Sequence, residues 1–262
     1  MAGIFYPAHA QVLGGLIDRL GGKSAASGKV VAVISPHGGY ETAGAVAAAC
    51  YRRAGPHVGA VVVGPKHSRA GALRAVAAAG AWETPFGKVR VHDRLSTEIL
   101  KESAGLLERD AAAHRYEHSA EVQLPFLQRC VGLEWFVPIV LSDAEEIDFQ
   151  ALGEGIARAL RRLDEKVLLV GSVNLTRFES REEAKRKDSI AIRSLAALNA
   201  GGLIETARSG SISLCGLNAA AVVLSAALAL GGSSAELVSY QTSGDVTGES
   251  ESVVGYAGMT IA

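Results

Sequence analysis

Neither sign of charge is in excess in this sequence: 26 lysines and arginines stand against 27 aspartates and glutamates, a net of −1. That balance leaves no basic stripe able to neutralise a phosphate backbone, so no nucleic-acid partner is expected. The densest basic stretch, around Ser180 to Lys187, has Glu182, Glu183 and Asp188 mixed in and reads as a solvated helix face. Cysteine is scarce. Three, well separated and odd in number, form no disulfide framework and fit a reduced, cytosolic setting. Long apolar runs are missing too: the most apolar segment, Asn218 to Leu230, is too short to span a bilayer, so no membrane association is expected. The opening Met-Ala-Gly-Ile-Phe-Tyr-Pro lacks a basic region followed by a long apolar one, so no signal peptide is expected. No repeat of solenoid period is present, and no nucleotide cofactor is expected.

What is present is enough apolar residue, 48% of 262, to bury a sizeable core in one domain over 1–262. The organising stretch is Val30 to Tyr40. Its run Val30 to Ile34 reads as a strand buried on both faces, and Pro36 must end it. His37 then emerges at the carboxyl end of the strand, the edge where open α/β sheets bind ligands. It is a candidate metal ligand or acid–base group, or a histidine that only hydrogen-bonds its turn. The design recurs at Gly59 to Val63, where a second apolar run meets Pro65 and then His67. Two neighbouring strands ending this way would bring two imidazoles to one rim of the sheet.

Elsewhere strands alternate with amphipathic helices. Helices are expected over residues 8–20 (closed by Gly21-Gly22), 42–53, 95–107, 149–163, 186–199 and 218–230. Strands are expected over 136–141, 167–170, 236–240 and 253–257, with a hairpin turning at Pro85-Phe-Gly. The natural architecture is a three-layer α/β/α sandwich with a mixed, largely parallel central sheet. Glu117, His118 and Glu121 cluster where a polar segment turns apolar. Glu117 reads as a cap of the following helix and Glu121 as a solvent-facing group, or else Glu117 and His118 stand beside the two histidines to hold them in place or to act as acid–base groups. By the edge rule Asn174 and Arg177 should lie near the cluster. In Ser211-Ile-Ser-Leu-Cys215-Gly, Cys215 precedes a helix start, which suits metal ligation or nucleophilic chemistry; an inert buried thiol is the alternative. Cys50, in an Ala-rich helix, is a small core residue.

The ordered set Ala2-Gly-Ile-Phe-Tyr-Pro, Pro36-His-Gly-Gly-Tyr40, Gly64-Pro-Lys-His, Thr84-Pro-Phe-Gly, Glu117-His-Ser-Ala-Glu-Val-Gln-Leu-Pro-Phe-Leu, Cys215-Gly, Thr242-Ser-Gly-Asp and Val254-Gly-Tyr-Ala resembles the Memo family. Its prokaryotic members are also called AmmeMemoRadiSam system protein B. The resemblance runs along essentially the whole chain. It implies the fold of the class III extradiol ring-cleaving dioxygenases and a pocket with metal ligands at His37, His67 and Cys215. In those dioxygenases the third ligand of Fe(II) is a carboxylate. A thiolate softens the site towards copper(I), zinc or iron, so ring cleavage is not carried over.

The sequence also departs from the family. Where many Memo proteins have Ser-Ser-Asp-Leu-Ser-His-Tyr, it reads Ser172-Val-Asn-Leu-Thr-Arg-Phe. Asn174 cannot act as a general base, and Arg177 adds a fixed positive charge that opposes a cation but could clamp a carboxylate or phosphate. Gly38 and Lys66 are milder changes, Lys66 adding another cation. Three readings follow in order: a metal-binding, redox-active protein using His37, His67 and Cys215; a non-catalytic module holding a small anionic molecule or peptide with Tyr40, Lys66, Asn174 and Arg177; and an Fe(II) dioxygenase. Glu117 and His118 are the candidate catalytic pair, and the oligomeric state is left open.

Overall fold

The computed structural model describes residues 1–21, 29–210 and 212–262. Gly22, expected to help close the first helix, and Ser211, at the head of the Cys215 segment, lie outside the described residues.

Helix α1, Ala10–Leu20, stops at Gly21. The β-branched run becomes β1, Ala32–Ser35, fully buried and ending just before Pro36, whose ring nitrogen has no proton for a ladder. Helix α2, Tyr40–Ala54, leads to β2, Gly59–Pro65, and the short β3, Arg74–Val76. The Pro-Phe-Gly turn joins β4, Ala81–Thr84, to β5, Gly87–Val91, as an antiparallel hairpin. Helix α3, Asp93–Glu102, is shorter than its apolar pattern, because Ala104 and Gly105 both take positive φ and turn the chain into β6, Glu108–Arg109.

The segment after Glu117 tightens into a 3-10 turn at Glu121–Gln123. A single α turn, α4 (Leu124–Phe126), and a wide π turn to Val131 follow. Then come β7, Trp135–Leu141, α5, Phe149–Leu160, β8, Val167–Ser172, and β9, Arg177–Glu179. Two helices form where one was expected: α6, Arg181–Ala196, and α7, Ala200–Ser209. Leu198 breaks them apart at positive φ, and the Asn199 side chain caps the second by accepting the Gly202 N–H. The chain ends with α8, Leu217–Ala229, β10, Ala235–Thr242, a short α9, Gly244–Thr247, and β11, Val253–Ile261.

Among the described residues, eleven strands join one sheet in the order β10-β11-β1-β8-β2-β7-β3-β6, with β4, β5 and β9 branching from it. The run β1-β8-β2-β7 is parallel. The flanks differ from the largely parallel expectation: β11 lies antiparallel to β1 and β10, and β3 antiparallel to β7. Alternation along the buried strands feeds two cores. Ala32, Ile34, Val61 and Val63 face α3, α5, α7 and α8, whereas Val33, Ala60 and Val62 face α1, α2 and the α4 segment. The three-layer α/β/α sandwich is thus present. No helix among the described residues is long and apolar enough to cross a membrane.

One backbone position on β11 is set by a buried carboxylate. A methyl group on Gly255 would stand 1.8 Å from Asp188 Oδ2. Asp188, fully buried on α6, accepts the Thr176 N–H and the Tyr240 hydroxyl, each at 2.8 Å, and has no room to retreat. Gly255→Ala is therefore expected to cost about 3 kcal/mol by overpacking, read as a lower urea midpoint at unchanged slope. A variant of native stability would show that Asp188 is free to move.

Candidate metal centre

Four parallel strands bring their carboxyl ends to one rim. Just beyond them lie His37 after β1, Asn174 after β8, His67 after β2 and Asp143 after β7. β1 and β2 are not neighbours, as the sequence suggested, because β8 runs between them. Two strand spacings are about 9.5 Å, yet the His37 and His67 rings approach to 5.4 Å between centroids. The loops that follow the strands close the remaining gap. Cys215 joins from the far end of the chain through a two-way backbone bridge with Asn174, at 3.0 and 2.9 Å. The next residue must be glycine: Gly216 has φ +95°, and a Cβ there would meet the Ser172 carbonyl at 2.6 Å.

The donor atoms of His37, His67 and Cys215 lie within 4.8 Å of one another. Bonds of about 2.0–2.1 Å to nitrogen and about 2.3 Å to sulfur, at tetrahedral angles, place two donors on one ion roughly 3.3–3.6 Å apart. Side-chain shifts of up to about 1 Å would bring the three donors round one ion.

His37 is held ready by a chain of hydrogen bonds. Ser172 Oγ donates to the Ser119 carbonyl at 2.7 Å and accepts from Gln123 Nε2 at 2.8 Å. With its proton committed, it can only accept from His37 Nδ1, 3.2 Å away. That assigns the ring proton to Nδ1 and leaves a bare lone pair on Nε2, which is buried and has no protein partner. Burial, reinforced by His67 and His118, holds the ring pKa well below the usual histidine range, so it is neutral. Gln123 is fixed in turn by the Pro36 carbonyl and the Tyr51 hydroxyl. Ser172→Ala should free the His37 tautomer and weaken zinc binding about 10- to 100-fold in a chelator-competition titration; unchanged affinity would refute this role.

His67 is engaged at both nitrogens: Nδ1 lies 2.8 Å from Glu117 Oε1 and Nε2 lies 3.0 Å from Cys215 Sγ. Burial disfavours its charge, but Cys215 and Glu117 outweigh this and raise its pKa to about 10. Glu117, expected as an acid–base group, is instead a fully engaged anchor. Its carboxylate also accepts the backbone N–H of His67 (2.5 Å), His118 (2.9 Å) and Ser119 (2.9 Å). Burial opposes ionisation, yet these donors pull its pKa down to about 2, so it carries no proton to transfer. Together Cys215, His67 and Glu117 line up as thiol, imidazole and carboxylate.

His118, the other residue of the expected pair, lies beside His67. Its ring is sandwiched between His67 at 4.5 Å and Phe5 at 4.5 Å. Burial and then the His67 charge lower its pKa. Its Nδ1 stands 3.6 Å from Glu117, leaving the ring able to take a proton.

The four residues expected to bind ligand are scattered. Tyr40 has its side chain in the core, where its hydroxyl donates to the Val122 carbonyl at 2.7 Å and its ring stacks on Phe126, and it borders a separate hollow beside Phe5 and Tyr6. Asn174 ties two loops together by accepting the His37 N–H at 2.9 Å. Lys66 directs its ammonium to the Ser68 carbonyl. The Arg177 guanidinium lies 5.8 Å from the exposed Phe178 ring and is not among the main charges acting on His37, His67 or His118. Ser172, Gln123, Phe5 and Asp143 were missed by sequence reasoning. Asp143 accepts the Gly216 and Asn218 N–H groups at the start of α8, and burial raises its pKa. The edge rule applied to the buried strand ending at Leu141 would have found it.

Comparison with known proteins shows the family. A family model described as Memo-like protein matches residues 1–260. A MEMO1 family protein of Methanopyrus kandleri is 36% identical over 87% of this chain and 81% of its own length. Another, from Aquifex aeolicus, is 36% identical over 99% of this chain and 96% of its own. Among solved structures, an uncharacterised protein from Escherichia coli K12 superposes with a TM-score of 0.54 at 14% identity, covering 87% of this chain and 99% of that one, a likeness of fold alone. With the match spanning nearly every residue and relatives 36% identical along most of its length, the chain belongs to the Memo family.

Proposed function

We propose that the protein binds one transition-metal ion, iron, copper or zinc, through His37 Nε2, His67 Nε2 and Cys215 Sγ, and that with iron or copper it is redox-active. The observation that carries the reading is the buried, unpartnered Nε2 of His37, set beside an imidazole–sulfur pair. Two imidazoles and a thiolate form a donor set suited to these ions. A bound ion would supply Lewis acidity or one-electron chemistry. The chain's own residues supply the rest: Ser172 and Glu117 orient the two rings, and His118 accepts a proton at the edge of the site. Elemental analysis of protein purified without chelator is expected to find a bound metal, lost in His37→Ala. Cobalt(II) substitution should give a sulfur-to-metal absorption band that Cys215→Ser removes. A metal-free product indistinguishable from its His37→Ala variant would refute the proposal.

A second reading, an anion-holding module, is favoured by Arg177. No ion pair among the described residues engages its guanidinium, and Phe178 beside it stands 75% exposed at φ +61°. Strained, exposed aromatics of this kind are found at ligand clamps. Phenyl phosphate should raise the unfolding temperature of the native protein but not of Arg177→Gln; equal responses would exclude the reading.

A further inference from the structure

His114 is the least explained polar residue of the fold. It is 94% buried, yet neither ring nitrogen has a hydrogen-bond partner within the protein. Leaving a buried donor and acceptor unpaired costs about 1–3 kcal/mol each, and an apolar residue such as Leu at this position would avoid that. The ring borders a cavity of about 250 Å³, lined with Trp82, Glu83, Ala111, Arg115 and Glu121. None of the three metal donors lines it, so it is separate from the centre described above.

The lining narrows the class of occupant. A metal ion held by protein side chains does not fit, because among the described residues His114 joins no group of donors close enough to share one. Glu121 is engaged, accepting the Tyr6 hydroxyl at 2.8 Å. Glu83 and Arg115 are exposed and, among the described residues, neither makes an ion pair or side-chain hydrogen bond. One free carboxylate and one free guanidinium therefore flank an imidazole that burial keeps neutral, its pKa lowered to about 4. Such a ring offers one N–H and one lone pair. Trp82, edge-on to His114 at 5.9 Å, supplies an apolar wall. At about 250 Å³ the hollow, open to solvent on one side, has room for a molecule about the size of an amino acid.

We infer that this cavity is a binding site for a small zwitterion of the α-amino-acid type with an apolar side chain. Arg115 pairs with its carboxylate, Glu83 with its ammonium, His114 hydrogen-bonds the polar head and Trp82 packs against the side chain. The assignment rests on residues outside the metal centre and stands whether or not that centre holds an ion.

Isothermal titration of the protein as purified with L-leucine tests it. Binding in the micromolar to millimolar range is expected, at least about tenfold tighter than for 4-methylpentanoate or isopentylamine, which each carry only one of the two charges. Arg115→Gln and Glu83→Gln should each weaken it about tenfold, and chelator treatment should leave it unchanged. His114→Leu should abolish binding without lowering the unfolding temperature; should that variant fail to fold, the two exposed substitutions decide. No leucine binding, or binding indifferent to both Arg115→Gln and Glu83→Gln, overturns the inference.

Discussion

Glu117→Gln is expected to lose about 3 kcal/mol or more of stability in chelator at pH 6.5, and to bind zinc about 10- to 100-fold more weakly. The native carboxylate, fully buried, accepts the His67 ring N–H and three backbone N–H groups. An amide keeps one acceptor oxygen and turns an NH2 group against donors that then have no partner. The charge that orients the His67 ring disappears as well. The same arrangement fixes the pH dependence of the metal-free protein. The Glu117 pKa is lowered to about 2 when folded, so its contribution is present above about 4.5 and is lost as pH falls towards about 2. The His67 pKa is raised to about 10, so its contribution is full below about 6.5 and is lost as pH rises towards about 10. His37, His57, His114 and His118 are all lowered by burial. The unfolded chain takes up their protons first, so their contribution falls away below about 6.5. Stability should therefore peak near pH 6.5 and decline on both sides, and Glu117→Gln should flatten the alkaline limb. Urea midpoints across the pH range check this; a native-like curve for the variant would mean that the carboxylate is not the anchor.

The second large effect is on metal affinity. His67 Nε2 faces sulfur with its proton retained to about pH 10, and an ion must displace that proton. His37, already neutral with Nε2 bare, releases none. Apparent zinc affinity should therefore climb about tenfold per pH unit from the His67 proton alone, roughly 100-fold between pH 6.5 and 8.5. Competition with a chelator of known proton linkage gives the slope, and proton release into a weakly buffered indicator gives the count. His67→Ala should bind weakly with a much shallower slope. An affinity flat with pH would show that His67 is not a ligand or holds no proton there.

Local patterns carried much of this outcome. The strand ending at Pro36, the strand before Pro65 and the segment Val167 to Val170 announced themselves by β-branched runs and proline stops. The edge rule then placed His37, His67 and Asn174 on one rim. The helix at 95–107 ended early because positive φ at Ala104 overrides apolar periodicity. The break between α6 and α7 escaped because Leu198 carries no turn signature of its own. Roles were harder to read than places. The spacing leaves Glu117 open as a cap or an acid–base group, and only the four N–H donors on its carboxylate make it an anchor; likewise nothing in the motif around Tyr40 shows that its hydroxyl is held by the Val122 carbonyl.

Composition and alternation by themselves determined a layered α/β chain with two histidines at strand ends, because backbone ladders and apolar burial act over a few residues at a time. Tertiary structure decided which groups share a proton or a lone pair. Cys215 meets His67 across 148 positions of sequence, and the His37 tautomer is set by a serine on the strand between the two that bear the imidazoles. Hydrogen bonding and pKa shifts depend on separations of a few ångströms and on exclusion of water, and neither is written in the spacing of residues along a chain.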